Sequence, residues 1–351
     1  MNRKENILRA IRFENPDFIP MQYHINHACW NYYDHSTLFD LMEAHPFLFP
    51  EFERPKDKYV PSYLVNAIAD VPYTDPWGCV WKTTEDGITG TVIQHPLNSW
   101  DDFDQYSAPD TEKTDGTYNI DWEQLSKTTS QIKKERKIIW GGLPHGHTFL
   151  RLQDIRGYNN LVADMFKNHP NLDKLIKMIE TFNLAYLRKY LNLNPDIVSI
   201  PEDLGMQVGP MLMPKHFQKY IKPSYQHFID LVRKNNCLVH MHSDGDIRTL
   251  ISDIIDCGID IINLQDLTNG IDWIQNSLKG KVCIDLDIDR QTITPFKTPK
   301  EIDDLILEEI KKLGSKEGGL MMIYGLYPGV PIENAKAVMD AMEKYATYYS
   351  G

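Results

Sequence analysis

Residues 237–265 read CLVHMHSDGDIRTLISDIIDCGIDIINLQ, and their pattern decides the fold. A short apolar run from Cys237 to His242 is broken by Ser243-Asp244-Gly245, and Ile247 to Cys257 then follows at helical spacing. A second apolar run, Ile259 to Leu264, comes next. Strand, helix and strand in so short a stretch imply two parallel strands joined by a crossover helix.

The same unit recurs on both sides. Lys137 to Leu143, Asp196 to Ile200, Lys281 to Ile288 and Leu320 to Tyr324 are predicted strands. Phe217 to Lys234, Pro299 to Leu313 and Glu333 to Tyr348 are predicted helices, the last two opening after Thr298 and Pro331. Near the start, Ile7, Leu8, Ile11 and Phe13 mark a helix that Asn15-Pro16 ends, and a first strand is expected at Phe18 to Tyr23. Residues from about 25 to 120 are rich in Pro, Tyr, Trp and Asp, with a hairpin expected around Gly87 to Gly90, and read as an irregular cap. The expectation is therefore an α/β chain forming a single (β/α)8 TIM-type barrel over residues 1–351, with an N-terminal elaboration covering its mouth. A doubly wound open sheet competes with it. Polar residues close nearly every predicted strand and no GxGxxG follows the first one, which favours the barrel and gives no support to a dinucleotide site.

Composition narrows the functional classes. With 42% hydrophobic and 25% charged residues, the chain has ordinary globular usage. A net charge of -12 argues against nucleic acid as a partner, because phosphate backbones recruit concentrated Lys and Arg. The opening residues form an amphipathic stretch rather than an apolar leader, and no run approaches the roughly 20 apolar residues that span a bilayer. Five scattered cysteines without a CxxC pair fit reduced thiols, so a cytoplasmic location is expected.

The chemistry should lie at the strand ends. His240 and His242 are two apart on one strand and face the same way, a geometry suited to holding Zn²⁺ with a further ligand and one open position. The alternative is one histidine bonded to a core carbonyl and the other touching substrate. Glu202 and Asp203 close the preceding strand; adjacent residues point to opposite sides, so one of them is expected inside, as a third metal ligand or a general base. His145 and His147, flanking Gly146, read as substrate contacts on a loop, with a structural role for at least one. Asn263 and Gln265 share a face of the next strand. Asp285, Asp287 and Asp289 share a face of the one after, where a cation, a proton or hydrogen bonds must offset their repulsion. Asp289 could instead pair with Arg290 or cap the turn Gln291 to Thr294. Tyr324 and Tyr327 end the last strand, where a phenol could serve a substrate oxygen or simply pack. Nucleophile elbows and phosphate loops are missing from the sequence.

These residues resemble the uroporphyrinogen decarboxylase superfamily, which includes zinc-dependent methyltransferases that serve corrinoid proteins. The resemblance is carried by Asn2 to Ala10 with Asn15-Pro16-Asp17, by Asp75-Pro76-Trp77-Gly78-Cys79 and by Leu152-Gln153-Asp154-Ile155-Arg156-Gly157. His242-Ser243-Asp244-Gly245 and Gly258 to Asn263 complete it, so that it runs over nearly the whole chain. It implies a β/α barrel and a possible homodimer. The arginine-rich segment with which true uroporphyrinogen decarboxylases hold substrate carboxylates is replaced by Tyr23-His24-Ile25-Asn26-His27-Ala28-Cys29-Trp30, which counts against a porphyrinogen substrate. Asp203 resembles the family's acidic residue on the matching strand. The methyltransferase branch carries a His-x-Cys pair where this chain has His240-Met241-His242, and a late cysteine where it has Tyr324.

The resemblance therefore implies transfer of a methyl group from a small methoxylated or methylated donor to a corrinoid protein. His240, His242 and Glu202 would hold Zn²⁺; Asp203, Glu202 and Tyr324 would be catalytic; His145, His147, Tyr23, Asn263, Gln265 and Asp287 would contact substrate. A ligand set without thiolates suits O-demethylation. The alternatives are a metal-independent decarboxylase or lyase using Asp203 and a histidine, and a non-catalytic barrel binding a tetrapyrrole or small ligand.

Overall fold

A computed structural model describes residues 2–350. The first helix, Arg3–Arg12, is capped by the Asn2 side chain, which accepts the Glu5 amide at 2.8 Å. Its buried Asn6 then accepts the amides of Asp17 and Phe18 and donates to the Phe18 carbonyl at 2.8 Å. Those bonds fix residues 17–18 locally, so the first strand runs over Met21–Ile25 rather than from Phe18.

The chain packs as two compact units. The first holds the described residues up to Val71, Lys82–Gly90 and those from Leu264 onward; the second holds Pro72–Trp81 and Thr91–Asn263. In the first, the strands Met21–Ile25, Leu320–Leu326 and Cys283–Asp287 are parallel neighbours in that order, with Tyr23 beside Tyr324 and Met321 beside Asp285. The helices Pro299–Leu313 and Ile332–Tyr345 pack together there. Thr298 and Glu301 close a reciprocal capping box at the head of the former, at the start read from the sequence.

In the second unit, Trp140–Gly142, Ile197–Ser199 and Leu238–Ser243 are parallel neighbours, with Val198 beside Val239 and Ser199 beside His240. The fully buried strand Ile261–Gln265 is divided, its first three residues in the second unit and its last two in the first. Among the described residues, seven parallel strands, each followed by helix, give the α/β class. Their continuous burial reads as near-unbroken Val, Ile and Leu runs, which is why the strands were visible in sequence. Around the expected hairpin, Val80–Lys82 and Thr91–Gln94 are neighbours in a separate three-stranded sheet. All five cysteines are buried and unpaired, and among the described residues no helix is long and apolar enough to cross a membrane.

Candidate metal centre

Within the second unit, three side chains bring ligand atoms within 4.8 Å of one another: His145, Asp203 and His242. His145 Nε2 lies 3.3 Å and His242 Nε2 3.4 Å from the same oxygen, Asp203 Oδ1. Ligands about 2.0–2.1 Å from a tetrahedral zinc stand roughly 3.3 Å apart, so the spacing fits the ion. The donor set fits it too, two imidazoles and one carboxylate being the number and type of protein ligands a catalytic zinc takes.

The surroundings orient each donor. His242 Nδ1–H donates to Asn263 Oδ1, one strand over, which leaves Nε2 facing Asp203. Asp203 Oδ1 also accepts the amide of Asp244 at 3.0 Å. Burial works to raise the Asp203 pKa, but hydrogen bonds from His145 and His242 overcome it and hold the carboxyl far below the usual range. His242 responds in kind: burial lowers its pKa, and the bond to Asp203 with the charge of Asp244 lifts it to about 9.

The loops behind these residues meet through glycine. Gly205 and Gly245 pass so closely that a Cβ on Gly245 would lie 2.2 Å from the carbonyl carbon of Gly205, and Gly245 has φ +79°. The Asp246 amide donates to the Met206 carbonyl at 2.7 Å and its carboxylate accepts Gly209 N–H at 3.2 Å.

Comparison with known proteins now bears on this arrangement. The family model for uroporphyrinogen decarboxylase (URO-D) matches residues 76–345. The chain belongs to the uroporphyrinogen decarboxylase family. Within that family it is 23% identical over 228 residues to a uroporphyrinogen decarboxylase of Prochlorococcus marinus, covering 62% of this chain and 61% of that protein. It is 26% identical over 172 residues to the methylcobamide:CoM methyltransferase MtaA of Methanosarcina barkeri, covering 46% of this chain and 45% of that one. Among solved structures, a methyltransferase from Methanosarcina mazei superposes with a TM-score of 0.65 at 16% identity, over 97% of this chain and 98% of that chain. That likeness establishes the barrel fold, and the family is one of enzymes, decarboxylases and methyltransferases both.

The three clustered residues are not the metal set expected from the URO-D resemblance. His242 is in it, but His240 and Glu202 are not. His240 is buried with Nδ1 2.8 Å from Ser199 Oγ and its ring edge-on to Trp140 at 4.9 Å. Glu202 is fully buried and accepts the amides of Thr148 and Leu150 and the hydroxyl of Tyr225. It thereby satisfies the exposed amides at the head of the helix Phe149–Arg156. Burial pushes its pKa to about 7. Asp203, read as the alternative inward carboxylate, occupies the centre, and His145 joins it rather than remaining a loop contact. His147 instead packs between Tyr225 and Phe228, 2.7 Å from Thr148 Oγ1, with its pKa pushed down by burial to about 3.

The remaining expected contacts belong wholly or partly to the first unit. The Tyr23 hydroxyl is buried with no hydrogen-bond partner among the described residues, and its ring lies 5.2 Å from that of Tyr324. Tyr324 donates to Thr294 Oγ1 at 3.0 Å. Asp287 pairs with Arg290 at 2.9 Å, Gln265 is buried beside them, and Asp289 caps Thr292 to Thr294, the turn read from the sequence.

One group escaped the sequence reading. Asp154, nearly buried on the helix Phe149–Arg156, is raised by burial to about 7, with Arg151 opposing that rise and Asp75, Glu202 and His145 in its field. A carboxyl raised in the fold stabilises most below its unfolded pKa, and that contribution is lost as pH rises through the folded value. Asp154→Asn, which cannot ionise, should therefore match the parent near pH 4 and become progressively more stable than it between pH 5 and 8. Thermal melts across that range check this; a constant difference would refute it.

Proposed function

We propose that this protein is a metal-assisted methyltransferase that moves a methyl group from a small methoxylated or methylated donor to a corrinoid carried by a partner protein. The observation that carries the reading is the cluster of His145, Asp203 and His242, whose spacing and donor types suit Zn²⁺. Bound there, zinc would supply Lewis acidity toward the oxygen that leaves with the methyl group's departure. Without thiolate in the set, that acidity suits an ether or alcohol oxygen better than sulfur, which points to O-demethylation. Asn263 fixes the His242 tautomer, and the Asp244 amide steadies Asp203. The methyltransferase named among the relatives supports this branch.

A second reading rests on the pKa of His242. Held at about 9 beside an ionised Asp203, it is an imidazolium at neutral pH and could protonate a carbanion after loss of carbon dioxide without any metal. Metal analysis of the purified protein separates the two. One zinc per chain, with conversion of cob(I)alamin to methylcobalamin by at least one methoxylated donor, is expected. Protein free of bound zinc after growth in zinc-replete medium, and unable to take it up, would transfer support to the decarboxylase.

A further inference from the structure

Beside the loop that begins at Asp203 lies a groove of about 500 Å³, lined by Tyr158, Val162, Met165 and Phe166 on one side and Met211 and Met213 on the other. The whole of it belongs to the second unit. Two of its lining side chains stand well out in solvent, Phe166 at 57% and Met213 at 46% exposure, and on the same loop as Met213 the tip residue Val208 is 91% exposed. Large side chains left in water and rimmed by polar groups mark interaction surfaces. Methionines suit them, because the flexible thioether adapts to a partner's contours.

Two lysines stand at one edge of it. Lys215 Nζ sits 5.4 Å from the Phe166 ring centre, and Lys219 follows one turn later, reaching Asn168 at 2.5 Å at the end of the helix Tyr158–Lys167. Neither lysine is in an ion pair among the described residues, on a chain whose net charge is -12. Complementarity calls for an acidic surface opposite. A second copy of this chain meeting the groove isologously would set lysine against lysine, so the charge disfavours that occupant. Between the turn Pro214–His216, which supplies Lys215, and the helix Lys222–Lys234 lies a turn of π-helix, Phe217–Ile221, which supplies Lys219, a distortion frequent at functional sites.

We infer that the groove between Tyr158–Lys167 and Pro210–Pro214 docks an acidic, apolar-faced surface of the methyl-accepting protein, setting it beside the Asp203 loop. The inference rests on the proposed methyl transfer for the partner's identity. Its Met and Phe side chains provide the buried contact, and its lysines steer the approach.

The test uses the full chain with Lys215→Glu/Lys219→Glu and, separately, Phe166→Ser. The probes are a purified corrinoid-loaded methyl-acceptor protein, and free cob(I)alamin as the protein-free acceptor. Binding of the acceptor protein, measured by calorimetry without any donor, should weaken at least about 10-fold in the charge-reversed form and should weaken in the parent as salt rises. Methylation of free cob(I)alamin should be unchanged in both variants. Unaltered acceptor binding in both variants would overturn the inference, as would a change of the chain's own oligomeric state, by sedimentation, as the sole effect. Calorimetry needs no turnover, so failure of methyl transfer with tight, lysine-dependent binding would strike the proposed chemistry and spare the docking surface.

Discussion

His242→Ala is expected to abolish stoichiometric zinc and to lower methyl transfer to free cob(I)alamin by about 10³-fold, while leaving the fold intact. The magnitude follows from a Lewis acid's contribution of several kcal/mol to a charged transition state, at about 1.4 kcal/mol per tenfold. The side chain is one of two imidazoles that meet Asp203 Oδ1, and its removal leaves two ligands, one fewer than the three that hold a catalytic zinc. Two comparisons make the result specific. Asn263→Ala keeps every ligand but frees the imidazole to flip, and should cost roughly 10–100-fold in zinc affinity. His240→Ala, two residues along the same strand but bonded to Ser199, should retain zinc. Metal analysis after dialysis reads all three. Loss of zinc from His240→Ala would restore the centre expected from the sequence, and retention of zinc by His242→Ala would remove that centre and the one drawn here alike.

The largest loss of stability is expected from Arg151→Leu. Arg151 is buried, its guanidinium 2.6 Å from Asp75 Oδ2 and 3.0 Å from Thr117 Oγ1, and the Asp75 side chain is fully enclosed. Removing one partner of a buried pair strands the other charge, at a cost of about 3–5 kcal/mol. Asp75 also accepts the amides of Trp77 and Cys79 and the Trp81 indole N–H, so it cannot turn away to water. Together these anchor the segment Asp75 to Cys79 to the helix Phe149–Arg156. For a chain this large the loss corresponds to a fall of roughly 10 °C in Tm. Asp75→Leu/Arg151→Leu should recover part of it, because Asp75 is then no longer stranded; a double variant no better than Arg151→Leu would locate the effect elsewhere.

Much of the scaffold was readable because buried parallel strands leave a one-dimensional signature. The runs ending at His242, Leu264 and Ile288 are apolar on both faces and short, and the helices between them begin with recognisable caps such as Thr298. The strand at Met21 was displaced because Asn6, eleven residues before Asp17, captures the chain just ahead of it, a long-range hydrogen bond that no window of sequence displays. The site was legible in part. Alternation along a strand put His240 and His242 on one side, but depth along the barrel axis decides which of them meets a partner, and periodicity does not encode depth. Adjacent Glu202 and Asp203 posed a choice that the helix start at Thr148 resolved: its free amides claimed Glu202, leaving Asp203 to the histidines. His145 became a neighbour of Asp203 through a loop turned by Gly146 at φ +75°, where spacing in sequence carries no distance information.

The close passage of Gly205 and Gly245 also divides what can vary from what cannot. The two connections rise from neighbouring strands as though riveted at their feet, so lengthening or bulking either one there would shear both and carry Asp203 and His242 out of register. Beyond that rivet, Val208 at the loop tip is 91% exposed, so its side chain can change without meeting a neighbour. Sequence change therefore has a natural place to occur, in the crown of the loop, with the clustered Asp203 and His242 insulated beneath it.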